Sequence, residues 1–342
     1  MTDKREVSAR LGTRRINEMG MAYQVSGTMW AALDLELFTN IAGGARRLED
    51  IGRACGIDLD AAERLLTACL ALDLVEVEDG AYRNAPDVER YLVAGSPRYH
   101  GGWVLNHRRG WDQWRSLADA LRPGDYRRMF DDPARAREFT ELGYRSSIRS
   151  AQKLASEFDF SQHRQLLDLG GGSAVYSIVA CQAHPGLRAT IVDHPNVCAV
   201  AHDFIALAGL GERVSTFPGN YLVDEFPPGA DVILLCGTLE THSTDEHLTV
   251  FRKAFAALPP GGTLLLVINM LDSDHRGPLE AVLSNLGQVA GRGARGRIHS
   301  LEQLEGMLGE AGFERFAAAD FVPGTYQRLV ARKPTFVAGG AR

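Results

Sequence analysis

The hydrophobic pattern divides the chain into a helical first part and a second part in which strands and helices alternate. From Met29, the run MWAALDLELFTNIAG has a helical period and predicts one amphipathic helix that ends near Gly43. The segments LEDIGRACGI and AAERLLTACLAL predict two further helices joined by a turn, and two short strands follow around Asp79 and Gly80. This order of helix, turn, helix and hairpin is that of a winged helix.

The pattern changes at Gln165, where apolar runs of strand length begin to alternate with helical segments. Five strands are predicted at QLLDLG, ATIVD, VSTFPG, DVILLCGTL and TLLLVIN, which is typical of a parallel sheet with crossover helices. FERFAAADF and YQRLVARKP predict a closing antiparallel hairpin that turns at Pro323 and Gly324. The predicted fold class is α/β, a doubly wound, mostly parallel seven-stranded sheet with an N-terminal helical winged-helix domain.

Charge separates two interpretations of the winged helix. The chain has 342 residues, 45% of them hydrophobic, and a net charge of -6, which argues against a polyanionic partner. Residues 48–90 contain four arginines and eleven acidic residues, a sum of -7. A recognition helix that carries Asp60 and Glu63 beside Arg64 would repel phosphates. We therefore interpret this module as a dimerisation element and expect no nucleic acid partner.

Cysteine usage and the terminal sequence bear on metal binding and location. The five cysteines are scattered and form no C-x-x-C pair, so neither a disulfide framework nor a metal site is predicted. The first residues lack the apolar core of a signal peptide, and no segment reaches about 18 apolar residues. We expect a cytoplasmic protein that does not interact with membranes.

A glycine-rich turn follows the first strand of the predicted sheet. It reads Asp168-Leu-Gly-Gly-Gly and opens a helix, so a ligand can approach the backbone closely at the carboxyl edge of the sheet. Asp193 ends the next strand, where a carboxylate can accept both hydroxyl hydrogens of a ribose. The pattern indicates a nucleoside cofactor, either NAD or S-adenosylmethionine. Asp168 favours the second, since an acid suits a cationic sulfonium better than a pyrophosphate.

Longer segments carry a resemblance to a known family. LLDLGGGSAVYSIVACQAHPGLRATIVDHPNV, GNYLVDEFPPGADVILLCGTL, DEHLTVFRKAFAALPPGGTLLLV and LGEAGFERF together resemble the class I S-adenosylmethionine-dependent methyltransferases. More narrowly, the chain from about Met19 to Pro334 is similar to small-molecule O-methyltransferases with an N-terminal winged-helix dimerisation domain. The resemblance implies a Rossmann-like homodimeric enzyme that uses S-adenosylmethionine to methylate a small aromatic or polyketide-like secondary metabolite.

The same resemblance implies three portions of the chain. Residues 1–98 would form the helical winged-helix dimerisation domain. Residues 99–160 would form connecting helices that contribute to the acceptor pocket, and residues 161–342 would form the catalytic domain that binds S-adenosylmethionine.

Matching positions imply a cofactor site. The glycines would line the methionine portion, Asp193 would hold the ribose and His194 would border the adenine. Asn220 stands where the family usually has aspartate, and its side-chain oxygen can still accept a hydrogen bond from the adenine amine. The residues predicted to bind the cofactor are Asp168, Gly170, Gly172, Asp193, His194, Asn220, Tyr221 and Cys236.

The position of a general base departs from the family pattern. The family places a catalytic histidine after the fourth strand, whereas this chain has Glu240 there and His242 two residues later. Either is a candidate base, although an ordinary glutamate pKa near ~4.3 must be raised to match histidine near ~6.5. The sequence also leaves open C- or N-methylation of an already nucleophilic atom without a strong base, and a non-methylating enzyme on the same fold.

Acceptor binding is predicted in two places. Trp103, His107 and Trp111 lie in an aromatic helical segment that suits the wall of an organic-ligand pocket, and Asn269 and Met270 follow the fifth strand. The stretch 291–297 is rich in arginine and glycine. It is interpreted as a solvated loop, with closure on an anionic substrate as the alternative.

Overall fold

The computed structural model describes residues 13–122, 131–292, 296–322 and 325–335, and the side chains of 290–292 are outside that description. The chain divides into two compact units, one up to Trp111 and one from Asp112 onward. The turn predicted at Pro323 and Gly324 lies outside the described residues. The predicted boundaries near residues 98 and 160 stay predictions.

Helices and a small hairpin form the first unit. Its elements are α1 (Arg14–Asp34), α2 (Leu37–Ala42), α3 (Leu48–Cys55), α4 (Leu59–Ala71), β1 (Val75–Glu78), β2 (Ala81–Asn84), α5 (Pro86–Tyr91) and α6 (Gly101–Arg109). The two strands pair antiparallel, with Val75 opposite Asn84. The predicted order of a winged helix is therefore confirmed.

The predicted single helix from Met29 to Gly43 is wrong. Two helices occupy this region because Glu36 adopts a left-handed conformation, with φ of 51°, and interrupts the helical hydrogen bonding. The apolar residues of both helices still enter one core, where Leu37 and Phe38 are buried together with Ile51 of α3. Asp58 caps the N-terminus of α4, since its side chain accepts from Ala61 N at 2.8 Å.

The second unit contains the larger sheet and its helices. Its elements are α7 (Trp111–Arg115), which begins at the last residue of the first unit, α8 (Leu117–Ala120), α9 (Pro133–Glu157), β3 (Gln165–Leu169), α10 (Val175–Ala183), β4 (Arg188–Asp193), α11 (Pro195–Leu207), β5 (Val214–Pro218), β6 (Val232–Cys236), α12 (Thr244–Ala257), β7 (Thr263–Ile268), α13 (Leu279–Arg292), α14 (Leu301–Glu310), β8 (Glu314–Val322) and β9 (Tyr326–Arg332). Short 3-10 turns precede β3 and α12.

The sheet has the strand order β5-β4-β3-β6-β7-β9-β8. The first five strands in this order are parallel, and β9 pairs antiparallel with both β7 and β8. Every residue of β7 is buried, because helices cover both faces of the sheet. The predicted α/β fold with a closing hairpin is confirmed. Because these strands are parallel neighbours, the carboxyl ends of β3, β4, β5 and β6 meet at one edge of the sheet.

Helix α9 packs beside this edge. It contacts α10 and α11, and the rings of Tyr144 and Phe204 stack in parallel with their centroids 4.0 Å apart. One side of α9 therefore faces the loops that follow the central strands. In the described part of the chain, no helix combines the length and apolar character needed to cross a membrane.

Candidate functional site

A cavity of about 770 Å³ lies at the carboxyl edge of the parallel strands. Its wall is formed by the loops after β3, β4, β5 and β6 and by one side of α9, including Phe139 and Ser147. The structure brings nine of the sequence-predicted site residues together in this wall. They are Asp168, Gly170, Gly172, Asp193, His194, Asn220, Tyr221, Cys236 and His242.

Two of the three glycines in the turn after β3 are packed too closely for a side chain. Gly170 has φ of +69°, and a Cβ at this position would lie 2.4 Å from Thr238 Oγ1. A Cβ on Gly171 would lie 2.7 Å from the carboxyl carbon of Asp168. In contrast, no atom lies within 4 Å of a Cβ on Gly172. The turn therefore presents bare backbone to the cavity, as a close-fitting ligand requires.

Asp168 is the most buried acid of the wall. It is 1% exposed, and its Oδ2 accepts a hydrogen bond from Ser177 Oγ at 2.7 Å. Burial raises the pKa of this carboxyl to about 7, the Ser177 bond opposes the shift, and the charge of Asp193 adds to it. Asp168 therefore exchanges its proton near neutral pH, and a bound positive charge would favour its ionised form.

Asp193 is held at the end of β4 by two backbone amides. Its Oδ2 accepts from Gly172 N at 2.9 Å and its Oδ1 from His194 N at 2.7 Å. Burial raises the pKa of Asp193, whereas these two hydrogen bonds lower it. Each carboxylate oxygen has a second lone pair, so the group can also accept hydrogen bonds from a ligand in the cavity.

The side chain of His194 borders the same end of the cavity. Its Nδ1 accepts from Asn196 N at 3.3 Å, which helps to begin α11. Its Nε2 lies 3.6 Å from Asp131 Oδ1, and the next residue, Asp132, caps the N-terminus of α9. The imidazole therefore lies between the β4 loop and the beginning of α9.

Tyr221 and His242 meet across the cavity wall although they are separated by 21 residues. The Tyr221 hydroxyl is hydrogen-bonded to His242 Nε2, and it lies 2.9 Å from Thr238 Oγ1. The two rings are edge to face, with centroids 5.4 Å apart. On the other side of the imidazole, Nδ1 lies 3.8 Å from Glu246 Oε2. The imidazole thus stands between a phenol and a carboxylate.

Glu246 is fixed by the N-terminus of α12. Ser243 N donates to Glu246 Oε2 at 2.8 Å, and Glu246 N donates to Ser243 Oγ at 3.3 Å, which is a reciprocal capping box. A proton on His242 Nδ1 would point toward this carboxylate. Nε2 would then be unprotonated and could accept a hydrogen bond on the cavity side.

Glu240 takes a different direction from His242. It is 6% exposed, it lies in the 3-10 turn Leu239–Thr241, and its Oε1 accepts from Asn269 N at 3.0 Å. Its side chain is outside the described wall of the cavity. The turn itself is supported by buried His247, whose Nε2 lies 2.6 Å from Leu239 O. Burial lowers the pKa of His247 to about 4, so its neutral ring donates to this carbonyl at neutral pH.

The residues predicted to bind the acceptor lie outside the described cavity wall. Trp103 and His107 are on α6 with ring centroids 5.7 Å apart, and Trp111 lies 5.8 Å from the ring of Tyr23. Buried Met270 donates its N–H to Gln327 Oε1 at 2.9 Å. The acceptor contacts of these residues and of Asn269 stay predictions. Residues 293–295 of the basic stretch 291–297 lie outside the described residues.

Comparison with known proteins identifies the family. Residues 18–94 match the O-methyltransferase dimerisation domain, and residues 114–314 match the O-methyltransferase domain. The 3-hydroxy-5-methyl-1-naphthoate 3-O-methyltransferase of Streptomyces sahachiroi is 34% identical over 294 residues, which cover 83% of this chain and 85% of that relative. The chain belongs to the S-adenosylmethionine-dependent O-methyltransferase family.

Other relatives show how widely the fold is used. The N,N-dimethyltransferase OxyT of Streptomyces rimosus is 28% identical over 313 residues, 88% of this methyltransferase and 90% of OxyT. The crystal structure of human N-acetylserotonin methyltransferase in complex with S-adenosylmethionine has the same fold, with a TM-score of 0.81 and 24% identity over 94% of this chain and 97% of that one. The chain is an S-adenosylmethionine-dependent methyltransferase.

The described cavity wall fits this cofactor. It contains five acidic residues and neither lysine nor arginine, which suits a ligand with a sulfonium and an ammonium group. The wall acids are Asp131, Asp168, Asp193, Asp224 and Glu246. The bare glycine turn would allow a ligand to approach the backbone closely, and the Asp193 carboxylate could accept hydrogen bonds from ribose hydroxyls. Within the described residues, no group of three or more His, Cys, Asp or Glu side chains is arranged to hold a metal ion.

Several wall residues were missed from the sequence. Thr238 and Asp224 of the wall, and Ser177, which donates to Asp168, carry no motif that separates them from ordinary helix or loop residues. Glu246 was visible only as an acid in the first turn of a helix, where the helix dipole already explains it. The family resemblance supplies positions at strand ends, whereas Thr238 and Asp224 lie in loops and the other two residues lie in the first turns of α10 and α12.

Proposed function

We propose that this methyltransferase methylates a hydroxyl oxygen of a small aromatic or polyketide-like secondary metabolite. The observation that carries the proposal is the similarity, along most of both chains, to the naphthoate 3-O-methyltransferase of Streptomyces sahachiroi. When bound, S-adenosylmethionine supplies an electrophilic methyl group. The chain must then orient the acceptor oxygen toward that carbon and remove its proton.

His242 is our candidate for the general base. Its imidazole lines the cavity, its Nε2 is already hydrogen-bonded to a phenolic hydroxyl, and the Glu246 carboxylate lies near Nδ1. An acceptor phenol that takes the place of the Tyr221 hydroxyl would donate to Nε2 in the same way. After proton transfer, Glu246 would stabilise the imidazolium.

Glu240 is the weaker of the two candidate bases. Its carboxylate already accepts from the backbone of Asn269 and lies outside the described cavity wall. These contacts support a role in holding the β6 and β7 loops together.

The experiment is mass spectrometry of hydroxylated naphthoic and related aromatic acids incubated with the enzyme and isotopically labelled S-adenosylmethionine. We expect one labelled methyl group on a phenolic oxygen. We expect turnover to fall at least about a hundredfold in His242→Ala, the usual contribution of a general base, and less in Glu240→Gln. Full turnover of both variants would contradict the base assignment.

Methylation of nitrogen or carbon without a strong base is the second candidate function. Two observations favour it: the family's histidine position holds Glu240, and the relative OxyT is named as an N,N-dimethyltransferase. An amine or activated carbon needs positioning more than proton removal. In that case the labelled product would carry its methyl group on nitrogen or carbon, and His242→Ala would retain most of its turnover.

The dimerisation domain supports a homodimer. Helix α1 exposes Ile16 by 62%, Met19 by 67% and Tyr23 by 50%, and this spacing places the three side chains on one helix face. An exposed apolar face of this kind is typical of an interface. We expect a dimer in light scattering and a monomer for Met19→Asp.

We also propose that the protein is cytoplasmic. We further propose that the chain has the three portions predicted from the sequence, with Trp103 in contact with the acceptor.

A further inference from the structure

The loop after β5 turns Asn220 back onto its own backbone. Asn220 Oδ1 accepts from Leu222 N at 3.0 Å, and the Asn220 carbonyl accepts from Val223 N at 3.0 Å and Asp224 N at 2.8 Å. The amide oxygen that the sequence predicts for the adenine amine therefore stabilises a local turn.

Asp224 is the acid that this turn brings to the cavity. Its Oδ2 accepts from Asn220 N at 2.7 Å, and its side chain is part of the cavity wall. A Cβ on Gly219 would lie only 3.1 Å from this oxygen, so the glycine allows the carboxylate to lie close to the strand end. One oxygen is thus anchored to the backbone, and the other is an acceptor for a ligand.

The loop is also fixed from behind. Lys253 of α12 donates from Nζ to Tyr221 O at 2.6 Å and to Asp224 O at 2.7 Å. The same ammonium lies 4.6 Å from the centre of the Phe226 ring. These contacts hold both ends of the turn against a helix, so Asp224 has a defined position before any ligand binds.

Asp224 lies on the loop that follows the strand next to that of Asp193, and both acids are in the wall of the same cavity. Strands β4 and β5 are parallel neighbours with Asp193 opposite Pro218, and Gly219 N donates to Asp193 O at 2.9 Å. The β5 loop therefore leaves the sheet directly beside the acid predicted to hold the ribose. We therefore expect a base attached to that ribose to lie near this loop.

We propose that Asp224 selects the adenine base of the cofactor by accepting a hydrogen bond from its exocyclic amine. An ionised carboxylate only accepts, so it favours a 6-amino purine and repels a 6-oxo purine. Asn220 shapes the turn that presents Asp224.

The test measures calorimetric dissociation constants for S-adenosylhomocysteine and its 6-oxo analogue, S-inosylhomocysteine. We expect the wild type to bind the amino compound at least about tenfold more tightly, because hydrogen bonds to charged groups are among the stronger ones. In Asp224→Asn the amide can donate to the 6-oxo group, so we expect the preference to disappear or reverse.

Glu225→Gln is the matched control, because it removes the same charge from an exposed neighbour outside the described cavity wall. Its preference should equal that of the wild type. Equal binding of both compounds by the wild type would overturn the proposal, even if Asp224→Asn did not fold. Unchanged preference in a folded Asp224→Asn, or the same loss in the control, would also overturn it. Failure of the wild type to bind either compound would instead count against the cofactor assignment.

Discussion

Asp168 gives a prediction that links the cofactor site to stability. Its carboxyl is buried and has a pKa of about 7, whereas an unfolded aspartate titrates near ~3.9. Between these two values the folded state binds more protons than the unfolded state, so the stability contribution of this group falls as pH rises. Asp168→Asn removes the titration and keeps an oxygen that can accept the hydrogen bond from Ser177 Oγ.

The magnitude follows from linkage. The reference is low pH, where Asp168 is protonated in both the folded and the unfolded state. Relative to that reference, the two pKa values lower the free energy of unfolding by roughly 2 kcal/mol at pH 5.5 and by roughly 4 kcal/mol at pH 8. The difference in stability between Asp168→Asn and the wild type should therefore shift by about 2 kcal/mol in favour of the variant over this range. Other titrating groups cancel because they are present in both proteins.

The assay is urea denaturation of both proteins at pH 5.5, 6.5, 7.5 and 8, followed by tryptophan fluorescence. Asp203→Asn is the control, since this aspartate is exposed and pairs with Arg137 on the surface. Its stability relative to the wild type should not follow the same curve. A difference between Asp168→Asn and the wild type that is independent of pH would refute the buried, near-neutral carboxyl and the reasoning based on it.

Three further substitutions test separate contacts. Asp193→Asn should weaken S-adenosylmethionine binding at least about tenfold by calorimetry, because the ribose loses a charged acceptor, and Asp203→Asn binding equally weakly would contradict this reason. Gly170→Ala should lower the free energy of unfolding by about 2–4 kcal/mol through its positive φ and its clash with a threonine hydroxyl, whereas exposed Gly186→Ala should be nearly neutral. His247→Ala should lower the free energy of unfolding in urea by about 1–3 kcal/mol because a buried carbonyl loses its donor, and wild-type stability would show that this bond is unimportant.

The sheet was predictable because its central strands are buried on both faces. Runs such as VILLC in β6 and TLLLVI in β7 have a length and composition that suit a parallel strand. The break between α1 and α2 was not, since it depends on a left-handed Glu36 and the sequence there has no glycine or proline. A local conformation that tertiary packing imposes leaves no pattern in the hydrophobic periodicity.

The candidate site divides in the same way. Asp168, the glycines and Asp193 could be predicted because they occupy strand ends, where the parallel register fixes their position. The choice between Glu240 and His242 depends on a 3-10 turn that His247 supports from α12. Across this turn, His242 lines the cavity whereas Glu240 accepts a hydrogen bond from the backbone after β7. Sequence spacing alone carries no information about that direction.

The contact between Tyr221 and His242 shows why the loops after β5 and β6 act as one unit. Tyr221 is held at its carbonyl by Lys253 of α12 and at its hydroxyl by His242, which lies just before the same helix. A shift of α12 would therefore move the proposed base and the loop that carries Asp224 together. In our proposal, proton removal by His242 and recognition of adenine by Asp224 would therefore both depend on one helix. We expect substitutions that loosen α12 to change cofactor selectivity and turnover in parallel.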